Sequence, residues 1–228
     1  MRVELVNGGI IHGDESLLSN VNVSFKGGDL SLGAGMESSG KSALFDLLSL
    51  NRGPDRGNIF IDGKDPFTDS QIMREYLEMM GIVPEPGTYP LDCTLDGLIV
   101  ANKQILRSLP LKEYLKRIEE GKKLFNLTHE GKEKMGDLSR SERVRFLLVL
   151  EVVRNPSILI LDSVLSEAGE LWGERIFLFC RKICGEDRIV ILLERVVPEY
   201  LEDRQPISIE DSGPFRFYTY YRKYEAAI

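Results

Sequence analysis

The run Gly35-Met36-Glu37-Ser38-Ser39-Gly40-Lys41-Ser42 satisfies the spacing G-x-x-x-x-G-K-[ST]. Each residue type in it has a use in holding a phosphate. Glycine lets successive backbone N–H groups turn inward around an anion. A helix opening near Lys41 and running through Ala43 adds the positive end of its dipole. The Lys41 ammonium would reach the β- and γ-phosphates as a point charge, and the Ser42 hydroxyl would ligate Mg²⁺. A metal held this way needs a second carboxylate. Asp162, at the end of the apolar run Ser157–Leu161 (SILIL), stands where a strand would deliver it.

These residues need a scaffold, and the hydropathy pattern supplies one. Residues 21–33 (VNVSFKGGDLSLG) combine strand-like alternation with a Gly-Gly turn, which predicts a hairpin leading into a buried strand just before the glycine-rich loop. ALFDLLSL after the loop has helical spacing. Ile59 to Asp62 reads as a short strand, and Ile82-Val83 before Pro84 reads as a strand end. SILIL and Arg188–Leu193 (RIVILL) are continuous apolar runs, as expected of strands buried on both faces of a parallel sheet. Helices are expected over KEYLKRIEEGKKLF, over Arg143–Val153 and over Leu171–Cys184, and short strands in the aromatic tail from Pro206 onward. Strands alternating with helices give an α/β fold. The helical block at about 86–155 interrupts the strands and reads as a subdomain inserted into one core formed by about 1–85 and 156–228.

Composition narrows the field. The chain has 228 residues, 43% of them hydrophobic, with 29 Lys+Arg against 36 Asp+Glu and a formal charge of −7. That excludes wholesale disorder and argues against a nucleic-acid binder, which would usually be basic. Three cysteines, Cys93, Cys180 and Cys184, are too few and too sparse for a disulfide framework, and two histidines, His12 and His129, are too few for a zinc site. His129 reads as a surface residue in a polar turn. No apolar run reaches the roughly 18 residues of a membrane span, and MRVELVNGG has no signal-peptide core. The expectation is a cytoplasmic protein, with any membrane link made through a partner.

Between the glycine-rich loop and Asp162 lies Leu138-Ser139-Arg140-Ser141-Glu142-Arg143-Val144-Arg145, beginning 24 residues before Asp162. Its sequence and place resemble the signature segment of ATP-binding cassette (ABC) proteins, L-S-G-G-Q-x-x-R. Pro156 stands where that family has a proline before the metal-binding strand. Glu85, in GIVPEP, falls at the family's Q-loop glutamine, and Arg195 at its switch histidine. The landmarks run in order from Val21 to about Ile209. The resemblance implies a P-loop core with a mostly parallel sheet, an antiparallel β subdomain and an inserted helical subdomain. It implies ATP as the ligand with Mg²⁺, Ser139 and Glu85 as further nucleotide contacts, and Ser42, Asp162 and Glu85 as metal ligands. It also implies a homodimer or a heterodimer with another cassette, and membrane-spanning transporter subunits gripped through GTYPLDCTLDGLIV at the inner face of a membrane.

The departures bear on mechanism. The glutamate that polarises the attacking water in the family is Ser163 here, and a hydroxyl cannot take that proton at neutral pH. The switch histidine is Arg195, always charged and no proton acceptor. Two signature glycines are Arg140 and Ser141, the D-loop aspartate is Gly169, and no aromatic precedes Phe25 where one would stack on adenine. No catalytic position is intact. The expectation is a degenerate cassette that binds Mg·ATP and hydrolyses it slowly or not at all. The alternative is a scaffold or regulator that kept the fold and lost the chemistry. A long coiled coil, as in chromosome-maintenance relatives, has no heptad tract to form it. A small-molecule kinase or GTPase would leave Leu138–Arg145 unexplained.

Overall fold

The computed structural model describes residues 1–35, 39–105, 109–185, 187–202 and 204–221. Two sheets form the frame. β1 (Arg2–His12), β2 (Glu15–Lys26) and β4 (Arg56–Ile61) make a three-stranded antiparallel sheet in the order β2-β1-β4. β3 (Asp29–Ala34), β5 (Met80–Val83), β6 (Ile158–Asp162), β7 (Ile189–Glu194), β8 (Ser208–Ser212) and β9 (Phe215–Tyr221) make the second sheet, in the order β5-β6-β7-β3-β9-β8. From β5 to β3 it is parallel; β9 and β8 close it with antiparallel pairs.

The hairpin expected over residues 21–33 does not form. β2 pairs with β1, while β3 pairs with β7 and β9 in the other sheet. Gly27-Gly28 is a crossing between sheets: Gly28 takes φ +95° and its N–H donates to the Arg188 carbonyl. Alternation in VNVSF is real, but its partner is the strand on its N-terminal side, a long-range choice that local turn chemistry cannot settle.

The continuous apolar strands are explained by cores on both faces. Along β6, Ile158 and Ile160 face one core with Ile189, Ile191 and Leu193. Leu159 and Leu161 face the other with Val190 and Leu192. The first core is roofed by the antiparallel sheet and by α1 (Lys41–Leu48), which buries Leu44, Leu47 and Leu48. The second is covered by α5 (Arg140–Val152), α6 (Val164–Ala168) and α7 (Glu170–Ile183). α7 meets α6 closely because position 173 is glycine; a Cβ there would lie 2.6 Å from the Leu165 carbonyl oxygen. Cys180 and Cys184 are buried in this core, as ordinary packing thiols.

α2 (Ser70–Met79), capped by the Asp69 carboxylate on the Gln71 N–H, leads into β5. α3 (Leu95–Ile105) and α4 (Leu111–Leu124) follow. A buried polar string ties them to the sheet. Glu151 of α5 accepts from Ile82 N–H of β5 at 3.3 Å, from Asn102 Nδ2 of α3 at 3.1 Å and from Arg154 at 2.6 Å. The Tyr114 hydroxyl of α4 lies 3.0 Å from both the Ile99 carbonyl and Asn102 Oδ1. α4 is solvated on one side and buries Tyr114 and Ile118 on the other. His129 is not the free surface residue expected. Its ring is largely covered, 3.8 Å from the carboxylates of both Glu133 and Glu142, because the turn carrying it folds back over the start of α5.

Candidate nucleotide-binding site

The ends of β3, β5, β6 and β7 lie side by side, so Gly35, Glu85, Asp162 and Glu194 meet at the carboxyl edge of the parallel strands. That edge is where open α/β sheets take ligands. A cleft of about 560 Å³ opens there, lined by Gly35, Ser39, Gly40, Lys41, Ser42, Ala43, Glu85 and Arg195. Glu15, Ser16 and Leu17 wall it on the β2 side. Met36, Glu37 and Ser38 lie outside the described residues.

The loop fits a phosphate on three observations. α1 starts at Lys41 with no side-chain cap, so its first N–H groups have no partner within the helix. Gly40 takes φ +82°, and a Cβ there would sit 2.1 Å from the Leu17 carbonyl oxygen. Only glycine allows that approach. Finally, the Ser39 hydroxyl is buried with no hydrogen-bond partner among the described residues, an unusual state for a buried polar atom and one a bound ligand would relieve.

Behind the loop, Lys41 Nζ is bonded to Asp162 Oδ1 and to Ser163 Oγ, the latter at 2.8 Å. Both partners are buried, with side-chain exposures of 9% for Lys41 and 5% for Asp162. Burial pushes the Asp162 carboxyl above its usual range, while the bonds from Lys41 pull it down. Ser163 stands at the position after Asp162 with a left-handed φ of +56°, and its Oγ is 3.1 Å from Asp162 Oδ1. The cleft could hold Mg²⁺ through Ser42, Glu85 and Asp162 only if Asp162 shares its oxygens with Lys41. On the open side Arg195 faces Glu85 at 3.6 Å.

Those two residues also line a neighbouring cleft of about 360 Å³ with Arg140, Arg143 and Glu167, where Arg140 faces Glu167 at 3.5 Å. Ser139 does not line the cleft of its own chain. It caps α5: its Oγ accepts from Glu142 N–H at 3.3 Å, and the Glu142 carboxylate accepts from Ser139 N–H at 2.9 Å. The Ser139 hydroxyl also holds the Glu142 carboxyl below its ordinary value. Phe25 is core, edge-on to Phe217 at 5.7 Å, and the exposed apolar side chain at the cleft is Leu17.

Two residues at the site carried no readable signal. Leu17 reaches the cleft only because the β1–β2 ribbon folds beside the loop. Glu194 looks from its sequence like the polar end of RIVILLE, yet it is buried beneath α6. Its carboxylate accepts from Leu165 N–H at 2.7 Å and from the Ser166 hydroxyl at 2.7 Å.

Strand order, the glycine-rich loop entering α1 and the strand-end aspartate define the class: a P-loop nucleotide-binding α/β protein. The family model for ABC transporters matches residues 18–166, more than half of the chain, and the chain belongs to that family. A Methanosarcina mazei protein named as an ABC transporter ATP-binding protein is 26% identical over 93% of this chain and 37% of its own length. The Escherichia coli alpha-hemolysin translocation ATP-binding protein HlyB is 27% identical over 79% of this chain and 26% of its own length. The chain thus spans well under half of these curated relatives. Among solved structures, the dimeric bacterial ABC transporter cassette MJ0796 superposes with a TM-score of 0.73 at 22% identity, covering 85% of this chain and 88% of that one. The same cassette bound to ADP and Pi gives 0.70 at 24% identity, over 84% and 87%. These likenesses establish the cassette fold. No helix among the described residues is long and apolar enough to cross a membrane.

Proposed function

We propose that this chain is the ATP-binding subunit of an ABC-type membrane transport system, and that it holds Mg·ATP while hydrolysing it slowly or not at all. Binding would use Gly35 to Ala43 around the phosphates, with Lys41 reaching the terminal groups. Ser42, Asp162 and Glu85 would hold the metal. The magnesium ion would neutralise phosphate charge when bound; the chain's own part is to orient the triphosphate through the loop amides and Lys41. Ser139 lies away from this cleft, so its contact with nucleotide would need a second cassette, the same chain or another. Helices within residues 86–155 act as the subdomain that meets the membrane subunits. Gly87–Val100 supplies exposed apolar side chains for that contact, Leu91 and Val100. The protein would then sit at the cytoplasmic face of a membrane through its partner.

The observation that carries slow hydrolysis is Ser163. The residue after Asp162 offers a hydroxyl bonded to the Lys41 ammonium at 2.8 Å, where a water-activating carboxylate would be needed. Loss of a general base costs about 10²–10⁴ in rate. The test is equilibrium Mg·ATP binding alongside phosphate release. Wild type should bind and turn over at least about a hundredfold more slowly than an intact cassette, and Ser163→Glu should raise turnover. Wild-type turnover equal to an intact cassette would refute the slow-hydrolysis reading, and absence of binding would refute the nucleotide reading.

A scaffold or regulatory role is favoured by a separate observation: the cations facing the phosphate site already have acidic neighbours, Lys41 with Asp162 and Arg195 with Glu85. ATP at a hundred times its Kd should stabilise a binder by about 2.7 kcal/mol; an unmoved thermal melt would select the scaffold.

A further inference from the structure

Glu194 is a buried acid that the nucleotide reading leaves without a task. Its carboxylate is 1% exposed and lies against the first turn of α6. It takes the Leu165 N–H at 2.7 Å, the Ser166 N–H at 3.4 Å and the Ser166 hydroxyl at 2.7 Å. That turn begins at Ser163, whose left-handed backbone is further held by its N–H on the Leu193 carbonyl at 2.8 Å. The Ser163 hydroxyl rests on Lys41. A hydrogen-bonded string therefore runs from Lys41 through Ser163 and Ser166 to Glu194.

We infer that Glu194 is a positioning residue for nucleotide binding: it clamps the Ser163–Ser166 turn and so fixes where Lys41 presents its ammonium to a phosphate. The inference rests on the nucleotide-binding reading above. The proton count supports a clamp that works in its neutral form. Ser166 Oγ lies within reach of two acceptors, the Ser163 carbonyl at 3.2 Å and Glu194 at 2.7 Å, and has one proton. A protonated Glu194 donates to Ser166, which then donates to Ser163, and every group is satisfied. Burial pushes the carboxyl up to about 7, against the pull of its hydrogen bonds and of Lys41. The charged and titratable groups whose fields meet it are Lys41, which pulls its carboxyl down, and Tyr200 after β7, whose hydroxyl it pushes up together with Glu170 and Glu174 of α7. An ionised Glu194 adds negative charge near the amino group that must meet a triphosphate. Binding should thus tighten as pH falls.

The experiment measures ATP affinity from pH 6 to pH 8 for wild type, Glu194→Gln and Glu194→Ala, with urea denaturation to confirm folding. The terminal phosphate itself titrates near this range, so the comparison between variants carries the result. Wild type should match Glu194→Gln at pH 6 and bind about fivefold more weakly than it at pH 8. Glu194→Gln, which can accept from Leu165 and donate to Ser166, should keep the affinity and lose that extra slope. Glu194→Ala should lose both slope and affinity. If either Glu194 variant fails to fold, Ser166→Ala replaces it: cutting the link between Glu194 and the Ser163 turn should weaken ATP binding severalfold. Lys41-dependent binding with the same pH profile in wild type and Glu194→Gln, or an unchanged ATP affinity in Ser166→Ala, overturns this inference alone. No ATP binding at any pH overturns the nucleotide reading and this inference with it.

Discussion

Replacing Lys41 by alanine should unsettle the fold as well as the phosphate site. The Lys41–Asp162 pair is buried on both sides, and among the described residues Asp162 has one other side-chain donor, the Ser163 hydroxyl at 3.1 Å. Removing one member of a buried pair leaves an uncompensated charge, at a cost of about 3–5 kcal/mol. A domain of this kind has about 5–15 kcal/mol in all, so the loss is large. The pH dependence has a definite sign. Burial already pushes the Asp162 carboxyl up, and the bonds from Lys41 are the main influence holding it down. Without Lys41 its folded value rises further above that of the unfolded chain. Stability then is fully present below the unfolded value and is lost as pH rises through the folded one. The Lys41→Ala deficit should be greatest at pH 8 and shrink by pH 5.5, read by urea denaturation at both. The double variant Lys41→Met with Asp162→Asn, which leaves no lone buried charge, should recover most of the loss. Its non-additivity should be at least about 2 kcal/mol. Simple addition of the two single effects, with a deficit independent of pH, would show that the pair is not the buried unit described. Binding assays on Lys41→Ala therefore need a condition in which the variant is shown to be folded.

Gly40→Ala forces a Cβ to 2.1 Å from the Leu17 carbonyl at a φ of +82°; the loss should be about 3 kcal/mol, seen as a drop of roughly 10 °C in Tm. An unchanged melt would mean that β2 does not press on the loop as described. Ser139→Ala removes the α5 cap and should cost about 1 kcal/mol. Because Ser139 holds the Glu142 carboxyl down, that contribution is present at neutral pH and is lost as pH falls toward the carboxylate range, so the deficit measured in urea should narrow under acid.

The strands that carry the site were legible because burial on both faces leaves an unmistakable run: Ile158–Asp162 and Ile189–Glu194 have no room for a polar residue until the edge where chemistry begins. The glycine-rich loop was legible because its geometry permits so few residue types. What stayed hidden was pairing at a distance. The strand beside VNVSF is set by β1, which had no signal of its own. Glu194 ends an apolar run just as Asp162 does, yet one carboxylate reaches Lys41 and the other turns under α6; successive residues on a strand point to opposite faces, and sequence alone does not say which face holds the ligand.

The substituted positions show the same limit from the other side. Read singly, Glu85, Arg140 and Arg195 are losses from a cassette pattern. In the structure Glu85 and Arg195 face each other at 3.6 Å, Arg140 faces Glu167 at 3.5 Å, and all four line one cleft. Both pairs are partly exposed, so each is worth at most about 1 kcal/mol. Their effect is on charge more than on stability: each arginine stands beside a carboxylate, so neither pair adds net charge to that cleft. These pairings, which no single position displays, arise only where the strand ends and helix starts bring Glu85 to Arg195 and Arg140 to Glu167.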